Sequence, residues 1–296
     1  MSVSFAAILP LCAAFAPAQP VLHRTTSAAA QRSAVALSAT ADGATRGSLL
    51  KVVHQVSDLE AVASFYTGAF GLKVLPTESA DGRARKLLAS GGASPQVELV
   101  HTEGGAFADG AGYRGISMRV PNVTDAVAAA MTHGGSVLED TENVKHGPSN
   151  VPEEDDEVIT PVVEAVVADP SGFPVHLYEA ECAEGVICGV RFDVYEWKKS
   201  SEWYESELGW KTLRFQSDVP RKARLALLMG EPGAEGVVGP VGAASDEQPS
   251  PLLTLRYVYG CAEREGKSGL EALVLAGGDG GAAELHDPDA NPIVLL

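Results

Sequence analysis

Carboxylate and histidine side chains occur within several apolar runs of this sequence, where they could hold a divalent metal or transfer a proton. Glu98 lies in the run Gln96–His101, and His176 follows an Asp-Pro-Ser-Gly turn. A carboxylate and a neutral imidazole are both common metal ligands. Lys51, in an earlier apolar run, carries a cation at neutral pH and offers no lone pair. If the fold brings Lys51 and Glu98 together, an ion pair between them is a more natural interpretation than a metal site.

Two further histidines lie near these residues in the sequence. His54 is three residues from Lys51, and His101 is three residues from Glu98. Because side chains alternate between the two faces of a strand, we expect each histidine to point away from its neighbour. A β-bulge would change that parity. A metal site that combines these histidines with Glu98 therefore requires a bulge.

The elements around Lys51 and Glu98 predict one βαβββ unit. The apolar run Leu49–Val56 predicts a strand, and Ser57 and Glu60 have the spacing of a capping box at the start of a helix. Apolar residues then recur at three- and four-residue intervals as far as Gly71, where the helix is expected to end. Three strands follow, and the last of them contains Glu98.

The same order of elements is written again further along the chain. A strand at Tyr113–Val120 is followed by a helix that Asn122 caps and by two strands around the Asp-Pro-Ser-Gly turn. Residues 141–160 lie between that helix and those strands, and they contain the acidic run of residues 153–157, which predicts a solvated loop.

A longer repeat predicts two related domains. Residues 65–75 match residues 203–213, an offset of 138 positions, and the Asp-Pro turn also recurs near the end of the chain. The first domain is expected to span residues 47–183 and the second residues 187–296. The second is shorter and degenerate, with its fourth unit reduced to residues 252–296.

This ordered set of motifs resembles the vicinal oxygen chelate superfamily, and within it the two-domain glyoxalase I proteins. The motifs are Val-Ser-Asp-Leu, Phe-Tyr, Phe-Gly-Leu, Val-Glu-Leu and Asp-Pro-Ser-Gly, each in the expected place. The likeness is strong over residues 49–180 and weak over residues 187–296. It implies an α+β fold of paired βαβββ units, the glyoxalase/bleomycin resistance/dioxygenase fold, in two tandem domains. The sheets of such a fold curl into a cup with the site on the concave side.

The resemblance also implies a reaction, the isomerisation of the methylglyoxal–glutathione hemithioacetal by a lactoylglutathione lyase. A zinc or nickel ion holds the two substrate oxygens in that reaction, and a ligand carboxylate acts as the base. The family carries His or Gln, Glu, His and Glu at its four metal-ligand positions, on the first and fourth strands of the units. The matching positions of this chain are, in order, Lys51, Glu98, Tyr113 and His176, with Gly189 and Val294 in the second domain.

Of these positions, Glu98 alone keeps the residue type of the family. It is the candidate catalytic base, and Glu98 with His176 would be the metal ligands if a metal were bound. Neither site that combines units from the two domains reaches the three protein ligands that a catalytic metal needs. The arginines that the family uses to recognise glutathione are replaced by Gln55 and Asp109, and by Asp193 in the second domain.

Three functions remain open from the sequence. The favoured one is a plastid glyoxalase I-like protein that has lost the metal-dependent lyase activity, has no cofactor, and binds a small molecule or acts as a scaffold. The second is an active lactoylglutathione lyase, or another metalloenzyme of the superfamily, with zinc or nickel. The third is a structural subunit of a plastid complex.

Residues 1–46 have the composition of a bipartite targeting sequence. Residues 1–14 contain an uncharged apolar run, which is too short to cross a hydrocarbon core of ~30 Å and is typical of a signal peptide. Residues 15–46 are rich in Ala, Ser and Thr, as transit peptides are. The junction resembles the Ala-Phe-Ala-Pro motif of proteins sent to complex algal plastids. An ordinary secretory signal followed by a spacer is the alternative.

The charge of the remaining chain excludes some partners. Residues 1–46 contain three Arg and one Asp, so residues 47–296 carry 19 basic and 38 acidic residues, a net charge of −19. Such a charge disfavours nucleic acid and anionic membranes as partners. Three cysteines, Cys182, Cys188 and Cys261, are too few for a disulfide framework or a zinc ribbon. We expect a monomer of two packed domains.

Overall fold

The computed structural model describes residues 47–77, 81–91, 95–108, 112–144, 162–218, 224–231, 252–258, 269–277 and 282–296. The predicted targeting sequence, residues 1–46, lies outside these ranges, as do the acidic run of residues 153–157 and Cys261. No helix in the described part of the chain is long and apolar enough to cross a membrane.

The described elements fall into four consecutive units. The first unit contains β1 (Leu49–Val56), α1 (Leu59–Phe70), β2 (Lys73–Leu75), β3 (Arg85–Ala89) and β4 (Gln96–His101). The second contains β5 (Tyr113–Val120), α2 (Val123–Thr132), β6 (Ser136–Val144), β7 (Val162–Ala168) and β8 (Pro174–Glu179). The third contains β9 (Val186–Asp193), α3 (Trp197–Leu208), β10 (Lys211–Asp218), β11 (Arg224–Gly230) and β12 (Leu252–Val258). The fourth contains β13 (Leu270–Leu275), β14 (Ala283–His286) and β15 (Pro292–Leu295).

The four units form two sheets, and each sheet takes strands from both halves of the chain. The first and fourth units make a seven-stranded sheet of order β14-β15-β13-β1-β4-β3-β2, in which β1 pairs antiparallel with β13. The second and third units make an eight-stranded sheet of order β10-β11-β12-β9-β5-β8-β7-β6, joined by the antiparallel pair β5 and β9. The predicted α+β fold of paired βαβββ units is confirmed.

One predicted boundary was wrong, and one strand was not predicted. The strand β12 pairs parallel with β9 and closes the third unit, so the fourth unit does not begin at residue 252. The strand β6, between α2 and β7, was not predicted from the sequence; it reaches Val144 and pairs with β7.

The helix ends follow the local chemistry of the chain with one difference. Asp58, not Ser57, caps α1, and its Oδ1 accepts a hydrogen bond from the Ala61 amide at 2.9 Å. Glu60 forms an ion pair with Lys86 at 2.6 Å. The predicted capping box is therefore wrong by one residue, and a single Asp cap takes its place. Gly71 ends α1 with a φ of 75°, a backbone conformation that glycine adopts without a steric penalty.

One face of both sheets packs with the helices into a single large hydrophobic cluster, to which Val52, Phe65 and Ile116 belong. The opposite face of each sheet carries a smaller cluster. Val53, Val100, Ala272 and Val274 form it on the seven-stranded sheet, and Tyr178 and Leu228 on the eight-stranded sheet. We call these opposite faces the site faces, since the candidate residues lie there.

The internal repeat is visible in a pair of equivalent hydrogen bonds. The Tyr66 hydroxyl of α1 donates to Asp169 Oδ2 at 3.4 Å, and the Tyr204 hydroxyl of α3 donates to Asp287 Oδ2 at 2.8 Å. In both turns the other carboxylate oxygen accepts two backbone amides. The repeated Asp therefore fixes the turn before the last strand of its unit to the helix of a related unit.

Candidate functional site

Three of the candidate positions meet on the site face of the seven-stranded sheet. Lys51 of β1 lies beside Val274 of β13, which lies beside Val294 of β15, so these residues form one row across the sheet. Glu98 of β4 lies beside Val53, two residues along β1 from Lys51. The two halves of the chain therefore contribute to one site, as the resemblance implies.

The polar part of this site is a buried group of three charges. Lys51 Nζ donates to Glu98 Oε2 at 2.5 Å, and Arg85 of β3 donates through a terminal nitrogen to Glu98 Oε1 at 2.6 Å. The side chains of Lys51, Glu98 and Arg85 are 7%, 4% and 11% exposed. Arg85 also binds Asp81 at 2.6 Å. The predicted ion pair between Lys51 and Glu98 is present, and sequence reasoning missed Arg85.

The pKa values in this group follow from two cations that share one carboxylate. Burial alone would raise the pKa of Glu98, but Lys51 and Arg85 outweigh it, and the pKa lies below its ordinary value. Burial lowers the pKa of Lys51, Glu98 offsets this in part, and repulsion from Arg85 lowers it further. Glu98 is therefore an ionised carboxylate and a weak base.

These donors do not fit a divalent metal. Both oxygens of Glu98 accept hydrogen bonds from cations, and a metal ion beside it would be repelled by Lys51 and Arg85. The row that contains Lys51 continues with the apolar side chains Val274 and Val294. Within the described residues, no group of three or more His, Cys, Asp and Glu side chains is placed to hold a metal.

The other candidate positions meet on the eight-stranded sheet, around β5. Ser117 of β5 lies beside His176 of β8 on one side and beside Gly189 of β9 on the other. The His176 ring is buried, and its Nε2 lies 2.9 Å from the carbonyl oxygen of Arg114, to which it donates. Its Nδ1 lies 3.1 Å from a terminal nitrogen of Arg191, from which it accepts. Both ring nitrogens are thus engaged.

The protonation state of His176 agrees with these partners. Burial lowers the pKa of His176 well below its ordinary value, and the nearby Arg191 lowers it further. The ring is therefore neutral at pH 7, with its lone pair directed to a guanidinium group. His176 would have to give up that hydrogen bond to bind a metal.

Tyr113 does not lie with the other candidates, and its assignment to a ligand position was wrong. Its ring is buried in the large cluster, and its hydroxyl lies 2.7 Å from His54 Nε2. A register shift between Tyr113 and Gly115 changes the parity of β5. Gly115, two residues before Ser117, therefore has the relation to its unit that Lys51 has to its own.

No side chain can stand at the position of Gly115. Its φ is 103°, and a Cβ built there would lie 1.9 Å from the carbonyl oxygen of Pro174. The backbone of β8 fills the space into which a ligand side chain would project. This position of the second unit therefore cannot supply a metal ligand without a movement of the strand.

The two additional histidines stay apart from both sites. His54 is fully buried on the core side of β1, where its ring stacks on Phe173 with centroids 4.0 Å apart. Burial lowers the pKa of His54 to about 3. His101 is exposed at the end of β4. The prediction from strand alternation that His54 points away from Lys51 is confirmed.

The alternation of side chains along the strands could have indicated the two functional residues that were missed, Arg85 and Arg191. Arg85 is two residues from Leu87, which lies directly beside Glu98, so both side chains belong to one face. Arg191 is two residues from Gly189 on β9. In each case the partner strand had to be known before the parity could be used.

Paired βαβββ units that share two sheets, with candidate residues on the first and last strands of the units, define a protein of the glyoxalase type. The model of the Glyoxalase/Bleomycin resistance protein/Dioxygenase superfamily matches residues 48–177. The chain is 30% identical over 141 residues to a lactoylglutathione lyase of Salmonella typhimurium, covering 46% of this chain and 94% of that protein. This chain belongs to the glyoxalase/bleomycin resistance/dioxygenase superfamily.

Plant proteins resemble a longer part of the chain. A probable chloroplastic lactoylglutathione lyase of Arabidopsis thaliana is 27% identical over 221 residues, which are 73% of this chain. The alignment spans about half, 55%, of the length of that protein. The crystal structure of glyoxalase I from Zea mays has a TM-score of 0.64 at 22% identity, covering 84% of this chain and 91% of that one. At this identity the structural likeness establishes the fold.

Proposed function

We propose that this chain is a glyoxalase I-like protein that binds a small molecule and does not catalyse the metal-dependent lyase reaction. The observation that carries the proposal is the state of Glu98, whose two oxygens accept hydrogen bonds from Lys51 and Arg85. A carboxylate in this state neither binds a metal readily nor accepts a proton from a substrate.

The chemistry of the lyase reaction makes this state decisive. An enediolate carries negative charge, which a divalent metal stabilises while a carboxylate of suitable pKa removes the proton. The pKa of Glu98 lies below its ordinary value, so Glu98 is a poorer base than an unpaired Glu. On the other sheet, the lone pair of His176 is directed to Arg191. Among the described residues, neither composite position has a set of free metal-binding donors.

A plastid location is part of the proposal. Residues 1–46 have the composition of a signal followed by a transit peptide. One of the relatives is named as a chloroplastic protein. Import of a fluorescent fusion to residues 1–46 into the plastids of an alga with complex plastids would support this location, and secretion of the fusion would contradict it.

The test of the lost activity uses purified residues 47–296, incubated with excess zinc or nickel and then freed of unbound metal. We expect well below one metal ion per chain by elemental analysis, and no isomerisation of the methylglyoxal–glutathione hemithioacetal above the uncatalysed rate. A Salmonella lactoylglutathione lyase treated in the same way is the positive control. One metal per chain, together with turnover that Glu98→Ala abolishes, would refute the proposal.

A further inference from the structure

The site face of the eight-stranded sheet carries a group of arginines, although the protein as a whole has a formal net charge of −17. Arg114 and Arg256 share the carboxylate of Asp193, which accepts from Arg114 Nε at 2.7 Å and from a terminal nitrogen of Arg256 at 2.9 Å. The Nε atoms of Arg119 and Arg191 are buried and have no hydrogen-bond partner among the described residues.

Arg191 directs its other donors to neutral acceptors. One terminal nitrogen donates to His176 Nδ1 at 3.1 Å, and the other donates to the Tyr178 hydroxyl. Burial keeps His176 neutral and raises the pKa of Tyr178, so neither acceptor carries a charge at pH 7. Glu164 and Glu139 act on Arg191 as more distant charges. Hydrogen bonds to neutral acceptors thus fix the guanidinium group of Arg191, and its Nε remains without a partner among the described residues.

Arg119 lies on the same part of the site face as Arg191. It lies on β5 beside Tyr178 of β8 and beside Val186 of β9. Burial raises the pKa of Cys188 to about 11, and both Arg119 and Arg191 act in the opposite direction on it. The Cys188 thiol therefore lies within electrostatic range of both guanidinium groups. Cys188 packs with Tyr178 and Leu228, which gives the place an apolar floor.

We propose that Arg119 and Arg191 bind the carboxylate or phosphate group of a small organic anion on the site face of the eight-stranded sheet. Guanidinium groups pair with both kinds of oxyanion through parallel N–H donors, and a bound oxyanion would satisfy buried donors that otherwise lack partners. The apolar floor suits a short hydrocarbon part next to that group. The inference rests on the proposed function, because it names the site and the ligand class of a protein that binds a small molecule.

This site differs from the one that the resemblance implies for glutathione. The arginine positions of that site are occupied here by Gln55 and Asp109, and by Asp193 in the second domain. Arg119 and Arg191 occupy other positions, on the central strands β5 and β9. Their place is next to His176, where the family has a metal ligand.

The test measures binding of inorganic phosphate and of malonate to residues 47–296 by isothermal titration calorimetry, at constant ionic strength set with sodium chloride. Arg191→Gln and Arg119→Gln remove one guanidinium each. Lys73→Gln is the matched control, since it removes a 67% exposed cation from the other sheet. We expect saturable binding that weakens about tenfold or more in both arginine variants, the effect of a lost charged hydrogen bond, and that is unchanged in the control. Tighter binding of phosphate or of malonate identifies the kind of oxyanion.

A direct observation covers the case in which an arginine variant does not fold. The Nε–H resonances of Arg119 and Arg191, followed by NMR in the unmodified protein, should shift together as the preferred anion is added. No saturable binding of either anion up to about 50 mM, or equal binding by all variants, would overturn the inference. The same preparation is assayed for bound metal and lyase turnover. Turnover would refute the proposed function, whereas missing anion binding without turnover refutes this inference alone.

Discussion

Removal of the carboxylate from the charge group of Lys51, Glu98 and Arg85 should destabilise the protein more than removal of Lys51. Glu98→Gln leaves the buried Lys51 ammonium without the carboxylate that pairs with it. Breaking a buried pair in this way costs about 3–5 kcal/mol of unfolding free energy. In Lys51→Met the carboxylate keeps Arg85 at 2.6 Å, so we expect a cost of only about 1–2 kcal/mol.

The double variant separates this reasoning from a general sensitivity of the site. Glu98→Gln leaves the Lys51 charge buried without its partner, and Lys51→Met removes that charge. Arg85 keeps its ion pair with Asp81 at 2.6 Å. We therefore expect the double variant to be more stable than Glu98→Gln alone, with a coupling free energy of about 2 kcal/mol or more. Lys51→Met should act as a suppressor.

Urea denaturation followed by circular dichroism at pH 7 gives the four unfolding free energies, provided that the slope m is the same in all variants. Lys73→Met is the control, because Lys73 is 67% exposed and its partner Glu184 is 3.9 Å away, and it should change stability by less than about 0.5 kcal/mol. Additive effects of the two substitutions, or a double variant less stable than Glu98→Gln, would refute the account of Lys51 as a cation held by Glu98.

Three further predictions concern the turns and the strand that shape the sites. Tyr204→Phe should cost about 1 kcal/mol of unfolding free energy in urea and Tyr66→Phe clearly less, because the hydroxyls donate at 2.8 Å and 3.4 Å; equal costs would contradict this. Gly115→Ala should cost at least about 3 kcal/mol of unfolding free energy or prevent folding, since its Cβ would meet a backbone oxygen at 1.9 Å. Gly82→Ala, where the Cβ meets open space, should cost about 1–2 kcal/mol. Similar melting temperatures of the two variants would contradict this difference. Burial raises the pKa of Asp169 from 3.8 to about 7, so between these pH values the folded state holds a proton that the unfolded state releases. The contribution of Asp169 to the unfolding free energy therefore falls as pH rises from about 4 to about 7. Asp169→Asn should flatten this part of the profile of stability against pH, and an unchanged profile would contradict the prediction.

Local pattern was enough to predict most of the elements and the family. The apolar run of β1, the Asn122 cap and the glycine that ends α1 each have a local physical cause, and the structure has them where the sequence predicts them. The cap of α1 was wrong by one residue, because both Ser57 and Asp58 are suitable caps. Geometry chose Asp58, whose oxygen reaches the Ala61 amide.

The candidate sites were harder to predict, because they depend on pairing between distant strands. The bulge near Gly115 changes the parity of β5 and moves Tyr113 into the core, and no residue near it marks the bulge except the glycine itself. The role of Arg85 needs the pairing of β3 with β4, and that of Arg191 needs the pairing of β9 with β5. Sequence alone places such residues on strands but does not say which strands are neighbours.

The sharing of each sheet between the two halves of the chain has a consequence for folding. The strand β1 lies between β4, which follows it closely in the chain, and β13, more than two hundred residues later. Pairing between such distant segments is slow, because a long loop must close, at a cost in entropy, before any contact can stabilise it. A fragment ending at residue 183 would leave one edge of β1 open, with Val53 and its apolar neighbours uncovered. Such an edge invites pairing with other chains, so the first half should aggregate when it is made alone.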